Sequence, residues 1–388
     1  MKRPPHRRVD PVLLGRLNVR RVLEVIQASG PASRAEVTRR SGLTAPTVSK
    51  AVESLLKSGL LEEGDAPAAA VGRPARVLRL ASTSLRVVGV VLDAPSCAVL
   101  HAGLDGRYDE KDVERFPTPG SYKALIEALL KRIAPLVKGR EALGVGISMP
   151  GLIDRERGEG VLSPNVHVTD GHAPARDLSA KLGVECVLRQ EAHALCLGEW
   201  LFGAARGLDD FAMLDVSTGL GLGVMSGGRI LVGATGFAGE LGHMCIDPQG
   251  RLCGCGNRGC LETFASDAAL AHLASEKLKE DLGIDETLQK IRDGDARLEE
   301  PLRRTCEYLA MAAGAVINVF NPGTLFVHGR LLEAREGLFG YLLELIRRRS
   351  LGPALAACKV VQARGNKHLG ALAAIVSHRL DALAPRLH

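Results

Sequence analysis

The chain has 388 residues, 46 % of them hydrophobic and 24 % charged, with a formal net charge of +6. That length can bury two or three domains, and the composition excludes collagen-like, low-complexity and membrane-embedded chains. No apolar run is long enough to span a bilayer, and the basic start Met1-Lys2-Arg3-Pro4-Pro5-His6-Arg7-Arg8 has no apolar core behind it, so a cytoplasmic chain with no membrane partner is expected.

The charge is unevenly spread. Residues 1–82 carry 15 Lys or Arg against 7 Asp or Glu, and the rest of the chain carries 35 against 37. A cationic head on a near-neutral body points to a polyanion partner; a solvated basic tail is the alternative. Residues 1–15, rich in Pro and Arg, are expected as a disordered basic tail. Residues 16–82 then read as a winged helix-turn-helix. Apolar residues at 19, 22, 23, 25 and 26 give residues 18–29 a helical face, which Gly30-Pro31 ends. Ser33-Arg34-Ala35-Glu36 is a capping box for a second helix running to about Ser41. Gly42 makes the turn, Thr44 caps a third helix with Pro46 in its first turn, and Gly59 follows its end.

A third helix in that position lies in the major groove of double-stranded DNA, and its outward residues are Thr47, Ser49 and Lys50. Leu60-Leu61 and residues 77–80 read as two wing strands, with residues 62–71 as the wing tip. Arg73, held between Gly72 and Pro74, and Arg76 are placed to enter a narrow minor groove. Two such heads reading two half-sites require a homodimer or a dimer of dimers.

Residues 85–388 form the body. Residues 87–93 are a buried apolar strand, residues 100–104 and 113–116 its neighbours, residues 121–137 an amphipathic helix, and residues 143–149 another buried strand stopped by Pro150-Gly151. A second unit opens with a strand at 211–216, continues into helices from about residue 268, and has a late strand at 325–329. Strand-rich and helix-rich stretches that recur twice predict two α/β lobes with a cleft between them.

Within the second unit, Cys253-Gly254-Cys255-Gly256-Asn257-Arg258-Gly259-Cys260-Leu261-Glu262 follows Gly239-Glu240-Leu241-Gly242-His243. Three thiols in a glycine-rich loop with a histidine ten residues upstream match a closed Cys3His structural zinc site, so zinc is expected at His243, Cys253, Cys255 and Cys260. Three unrelated buried cysteines are the alternative. The other six of the nine cysteines have no such grouping, which fits a reducing compartment better than a disulfide framework.

At these residues the body resembles the ROK family (repressors, open reading frames and kinases), an actin-like, two-lobed sugar-kinase fold. The matching motifs are Ser148-Met149-Pro150-Gly151, Ser163-Pro164-Asn165, Glu240-Leu241-Gly242-His243 and the loop from Cys253 to Glu262. With a helix-turn-helix in front, the chain is similar to the sugar-responsive branch that holds the xylose and N-acetylglucosamine repressors. The resemblance implies Glu240, His243 and Glu262 as ligands of sugar hydroxyls, with Asn165, Gln190 and Glu191 completing the pocket. The chemistry agrees, because carboxylates accept strong hydrogen bonds from hydroxyls and a zinc-held imidazole keeps one nitrogen for a hydroxyl.

The kinase pattern fails in two places. Where a ROK kinase has Asp-x-Gly-Gly-Thr to cradle phosphate, this chain has Asp93-Ala94-Pro95-Ser96-Cys97, with no glycine and one donor fewer. Where the kinase has Glu-Asn-Asp-Ala-Asn with a catalytic Asp, it has Arg189-Gln190-Glu191-Ala192-His193. Glu191 is thus a degenerate base position, and no catalytic residue is expected. A sugar-released repressor is the leading reading; an active sugar kinase with a DNA-binding head, or a regulator answering to a partner protein, are the alternatives.

Overall fold

The computed structural model describes residues 11–65, 76–138 and 142–383. The head consists of α1 (Pro11–Ser29), α2 (Arg34–Ser41), α3 (Ala45–Lys57) and the antiparallel wing strands β1 (Leu61–Asp65) and β2 (Arg76–Leu80). Its local signals act as their chemistry dictates. Ser33 is extended and its hydroxyl accepts from the Glu36 N–H at 3.2 Å, while Gly42 takes φ 70° to end α2. Thr44 is extended at the start of α3, but its hydroxyl bonds the Thr47 hydroxyl at 2.9 Å instead of capping the backbone.

Two boundaries differ from expectation. Helix α1 begins at Pro11, so residues 11–15 are helical and not part of a disordered tail. Proline suits a first helical turn, and the helix is anchored further along, where Arg16 donates to the Ala382 carbonyl at 2.8 Å and Arg20 to Asp381 at 2.9 Å. Residues 62–65 belong to β1 and not to a wing tip, because Glu62 accepts from Arg79, Ser82 and Thr83 and Glu63 from Arg34 and Arg76. Arg73 lies outside the described residues.

The first lobe contains β3 (Arg86–Val91), β4 (Ser96–Ala102), β5 (Glu114–Pro117), α4 (Tyr122–Val137), β6 (Ala142–Met149), the hairpin β7 (Leu152–Asp154) and β8 (Glu159–Leu162), α5 (Pro174–Leu182), β9 (Cys186–Gln190) and α6 (Glu191–Phe202). The second contains β10 (Phe211–Val216), β11 (Leu220–Ser226), β12 (Arg229–Ile230), α7 (Asp267–Leu278), α8 (Ile284–Arg292), α9 (Glu299–Phe320), β13 (Thr324–Gly329), α10 (Leu338–Arg347), α11 (Gly352–Ala357) and β14 (Lys359–Gln362). The chain then returns to the first lobe as α12 (Lys367–Leu383).

The two sheets share one plan. The first runs β5-β4-β3-β6-β9 and the second β12-β11-β10-β13-β14. In each, an antiparallel three-strand meander continues into two parallel strands. The parallel strands are buried on both faces, which is why β6 and β10 read as near-continuous apolar runs.

Helix α12 lies across β3, β6 and β9 and packs along α6. The approach is close: a Cβ on Gly146 would sit 2.0 Å from the Ala371 carbonyl, and one on Gly198 would sit 2.9 Å from the Gly370 nitrogen. Only glycine permits that contact.

The head is continuous with the first lobe. One buried apolar cluster runs from Val22, Ile26, Val52 and Leu55 through Leu78 and Ala81 to Val87, Leu100 and Leu104, and on to Leu372 and Val376 of α12. Main-chain bonds sew the junction, from the Ala81 N–H to Leu60 and from the Leu104 N–H to Ala81. A domain that shares a core with its neighbour moves with it.

Candidate functional site

The glycine-rich loop folds back on itself through its own backbone. Cys245 faces Cys260 and Leu252 faces Arg258 as antiparallel bridges, and the Cys253 N–H bonds the Asn257 carbonyl at 2.7 Å. Gly259 takes φ +64°, and a Cβ there would fall 1.6 Å from the Asp247 carbonyl, so the turn needs glycine.

This curl brings His243, Cys253, Cys255 and Cys260 together, with one ligand atom from each all within 4.8 Å of one another. His243 Nδ1 is 3.6 Å from Cys253 Sγ, and Cys255 Sγ is 3.7 Å from Cys260 Sγ. A tetrahedral ion with bonds of about 2.3 Å to sulfur and about 2.0 Å to nitrogen sets those edges at about 3.5 and 3.8 Å, each within about 0.1 Å of the distances found. The set therefore fits a tetrahedral metal ion. Burial pushes the Cys253 and Cys260 thiols up, Cys260 to about 11, so a positive ion is what would hold them as thiolates.

The two carboxylates flank the same histidine, Glu240 on the Nε2 side away from the thiols and Glu262 on the Nδ1 side beside Cys253. His243 Nε2 is 3.6 Å from Glu240 Oε2, and Nδ1 is 3.5 Å from Glu262 Oε1. Glu262 also accepts from the Cys253 thiol at 2.8 Å. A Cβ on Gly219 would lie 2.8 Å from Glu262 Oε2 and 3.9 Å from Asn165 Nδ2, so Asn165 borders the group from the first lobe. Burial raises the Glu240 pKa, opposed by His243 and reinforced by Glu262. Glu240, His243, Glu262 and Asn165 are thus brought together.

Gln190 and Glu191 are placed differently. The Gln190 side chain accepts from the His193 N–H at 3.0 Å and caps α6, so its oxygen is already committed. Glu191 lies in a buried ionic cluster that sequence reading did not find. Lys367 Nζ, at the start of α12, is 2.6 Å from Glu191 Oε1 and 2.5 Å from Asp93 Oδ2. Beside them, His328 Nδ1 bonds Asp215 Oδ1 at 2.7 Å.

Burial opposes charge at Lys367, but Glu191, Asp215 and Asp93 outweigh it and hold the ammonium charged. Burial pushes Glu191 up, with Lys367 pulling it down, and pushes Asp267 up to about 6. Asp267 Oδ1 is buried without a hydrogen-bond partner among the described residues. The missed signal was Asn366-Lys367 just before an apolar helix, which names no partner by itself.

On the head, Lys50 is exposed on α3, and Thr47 and Ser49 are half-buried beside it. Arg76 is exposed but pairs with Glu63 at 3.0 Å. No helix among the described residues is long and apolar enough to cross a membrane.

Comparison with known proteins accounts for both parts of the chain. The ROK family profile matches residues 97–378, and the MarR family profile matches residues 17–70. The DNA-binding transcriptional dual regulator NagC of Escherichia coli (strain K12) is 29 % identical over 354 residues, spanning 87 % of this chain and 86 % of NagC. The xylose repressor of Bacillus subtilis (strain 168) is 27 % identical, spanning 96 % of this chain and 98 % of its own. The glucokinase of Thermotoga maritima is 34 % identical, spanning 68 % of this chain and 87 % of its own.

Among solved structures, a ROK family transcriptional regulator described as a homologue of the E. coli MLC protein superposes with a TM-score of 0.77 at 26 % identity, over 95 % of this chain and 98 % of the other. A helix-turn-helix head on a duplicated two-lobed body, matched across most of its length by the family profile, makes this chain a member of the ROK family.

Proposed function

We propose that the protein is a sugar-responsive transcriptional regulator, a repressor that a monosaccharide or sugar derivative releases from operator DNA. The observation that carries this reading is the join between two sites. The Glu240–His243–Glu262 group borders Asn165 of the first lobe, and the DNA-binding head shares one apolar core with that lobe. A sugar held by both lobes favours their closed arrangement, and a ligand shifts such an equilibrium by its differential affinity for the two states.

Helix α12 supplies the connection. Its 17 residues span about 25 Å. Lys367 sits at one end in the ionic cluster, and Asp381 at the other holds Arg20 of the head. In a homodimer, or a dimer of dimers, tilting that helix changes the spacing of two recognition helices that must fit two half-sites. Thr47, Ser49, Lys50, Arg73 and Arg76 are the assigned DNA contacts. Zinc is the assigned metal, one per chain, and the cytoplasm the assigned compartment.

The test is an operator titration with and without a sugar selected from a thermal-shift panel, in which a specific ligand raises the melting point by mass action. We expect the selected sugar to weaken operator binding roughly 5- to 150-fold, the range of ordinary allosteric coupling. Equal affinity with and without a sugar that binds would sink the reading.

The protein is not a kinase in this reading, although a glucokinase is among its relatives. A base must be free to take a proton, and a phosphate must find cations that are not already neutralised. Here one ammonium, Lys367, is shared between Glu191, at the base position, and Asp93, at the start of the first phosphate-loop position, so both the carboxylate and the cation are already engaged. A coupled ADP assay with glucose, N-acetylglucosamine, mannose and xylose should stay at background. Turnover that vanishes in Glu191→Gln would overturn this.

A further inference from the structure

A second cavity, of about 820 Å3, opens on the far side of α6 from the ionic cluster. Its walls come from both lobes: the β7–β8 hairpin, β9, α6 and α12 on one side, and Met225, Arg229, Ile230 and Gly236 on the other. Arginines dominate its polar lining. Arg189, on β9, reaches it with a single hydrogen bond among the described residues, 3.1 Å to the Leu188 carbonyl. Arg155 and Arg157, on the hairpin turn, are exposed at its rim, and no side-chain partner is found for either among the described residues.

The acidic residues in the same wall each have other partners. Asp154 accepts the N–H groups of Glu156 and Arg157 at 2.9 Å each. Glu185 pairs with His378 at 2.8 Å and Arg379 at 2.9 Å. Asp381 pairs with Arg20 of the head at 2.9 Å. Burial lowers the Arg189 pKa, with Asp381 opposing that and Arg155 adding to it. A guanidinium carries five donors in a planar fork that matches phosphate or carboxylate oxygens. Asp381 offsets part of the Arg189 charge, and the remaining guanidinium donors of the concave wall suit an entering anion.

We propose that this cavity is a binding site for a small phosphate monoester, held by Arg189, Arg155 and Arg157, and distinct from the sugar site. The volume lies within the range of small-molecule pockets, about 300–1,000 Å3. The apolar wall, with Ile153, Leu197 and Met225, suits the carbon skeleton of an ester better than bare phosphate. Because the cavity has walls from both lobes and shares Asp381 with the anchor of the head, such a ligand would bias the same lobe arrangement from the opposite side of α6.

Calorimetry on the full chain at low ionic strength tests this with inorganic phosphate, glycerol 3-phosphate, glucose 6-phosphate and glucose. We expect a saturable site for at least one ester, tighter than for inorganic phosphate, and weakened roughly tenfold or more by Arg189→Gln or Arg155→Gln. Arg155 is exposed, so its variant reads the site even if Arg189→Gln fails to fold. Binding of a neutral sugar should be unchanged in Arg155→Gln, and ester binding should survive Glu240→Ala. No ester binding by wild type, or binding indifferent to both arginines, overturns the proposal. Ester binding lost in Glu240→Ala but kept in Arg155→Gln also overturns it, by moving the ester to the sugar site. Failure here leaves the operator titration untouched.

Discussion

Purified protein is expected to contain one zinc per chain, and Cys255→Ser is expected to lose the metal, lower the melting point and abolish the sugar response together. The reason lies in what the loop holds. Cys253 and Cys260 are buried, and the Cys253–His243 and Cys255–Cys260 distances match tetrahedral edges.

Without an ion, three thiols and an imidazole crowd one point with no shared charge to hold them. Structural zinc supplies on the order of 10 kcal/mol or more to small domains that fold around it. Only part of that would appear as stability here, since the second lobe has a core of its own around Leu214, Leu270, Leu309 and Val316.

The functional loss should be larger than the thermal one. Glu262 shares His243 and Cys253 as neighbours, and Glu240 is placed by the His243 ring, so freeing the ring frees both carboxylates. Metal analysis showing a zinc-free protein that still folds and still responds to sugar would refute this account.

Glu240→Ala is expected to leave operator affinity in the absence of sugar unchanged and to remove the sugar's effect on it. Glu240 is half-buried beside His243, and among the described residues no element of the head is found packed against the turn it opens, so its loss should not disturb the recognition helix. A carboxylate hydrogen bond to a hydroxyl contributes about 1.5–3 kcal/mol, roughly 10- to 150-fold in sugar affinity. At a sugar concentration that saturates the wild type, the variant would then stay mostly unliganded and bound to DNA.

Operator titrations on both proteins at that fixed concentration read the difference. A Glu240→Ala protein that is still released at wild-type sugar concentrations would remove Glu240 from the site. A variant that binds sugar normally but no longer responds would place Glu240 in the coupling instead.

The parts of this protein legible in its sequence are those whose causes lie within about twenty residues. Ser33, Gly42 and Pro46 mark the helix-turn-helix because a cap, a left-handed turn and a first-turn proline are near-neighbour effects. His243, Cys253, Cys255 and Cys260 were legible for the same reason: a short glycine-rich loop carries the three thiols, the histidine lies ten residues upstream, and few other roles suit that spacing. The strand pairs of each meander follow from adjacent apolar runs.

Only the tertiary structure decided the long-range ionic contacts. Lys367 meets Asp93 across 274 residues, and Arg20 meets Asp381 across 361. Nothing local distinguishes those side chains from other surface charges. They meet because the chain crosses into the second lobe and returns as α12 over the first sheet. The same return gave Glu191 a lysine partner, while Gln190 was taken up as the cap of α6, so two positions read alike in sequence have different surroundings. A carboxylate's role depends on its neighbours in space, and burial and the sheet order set those neighbours.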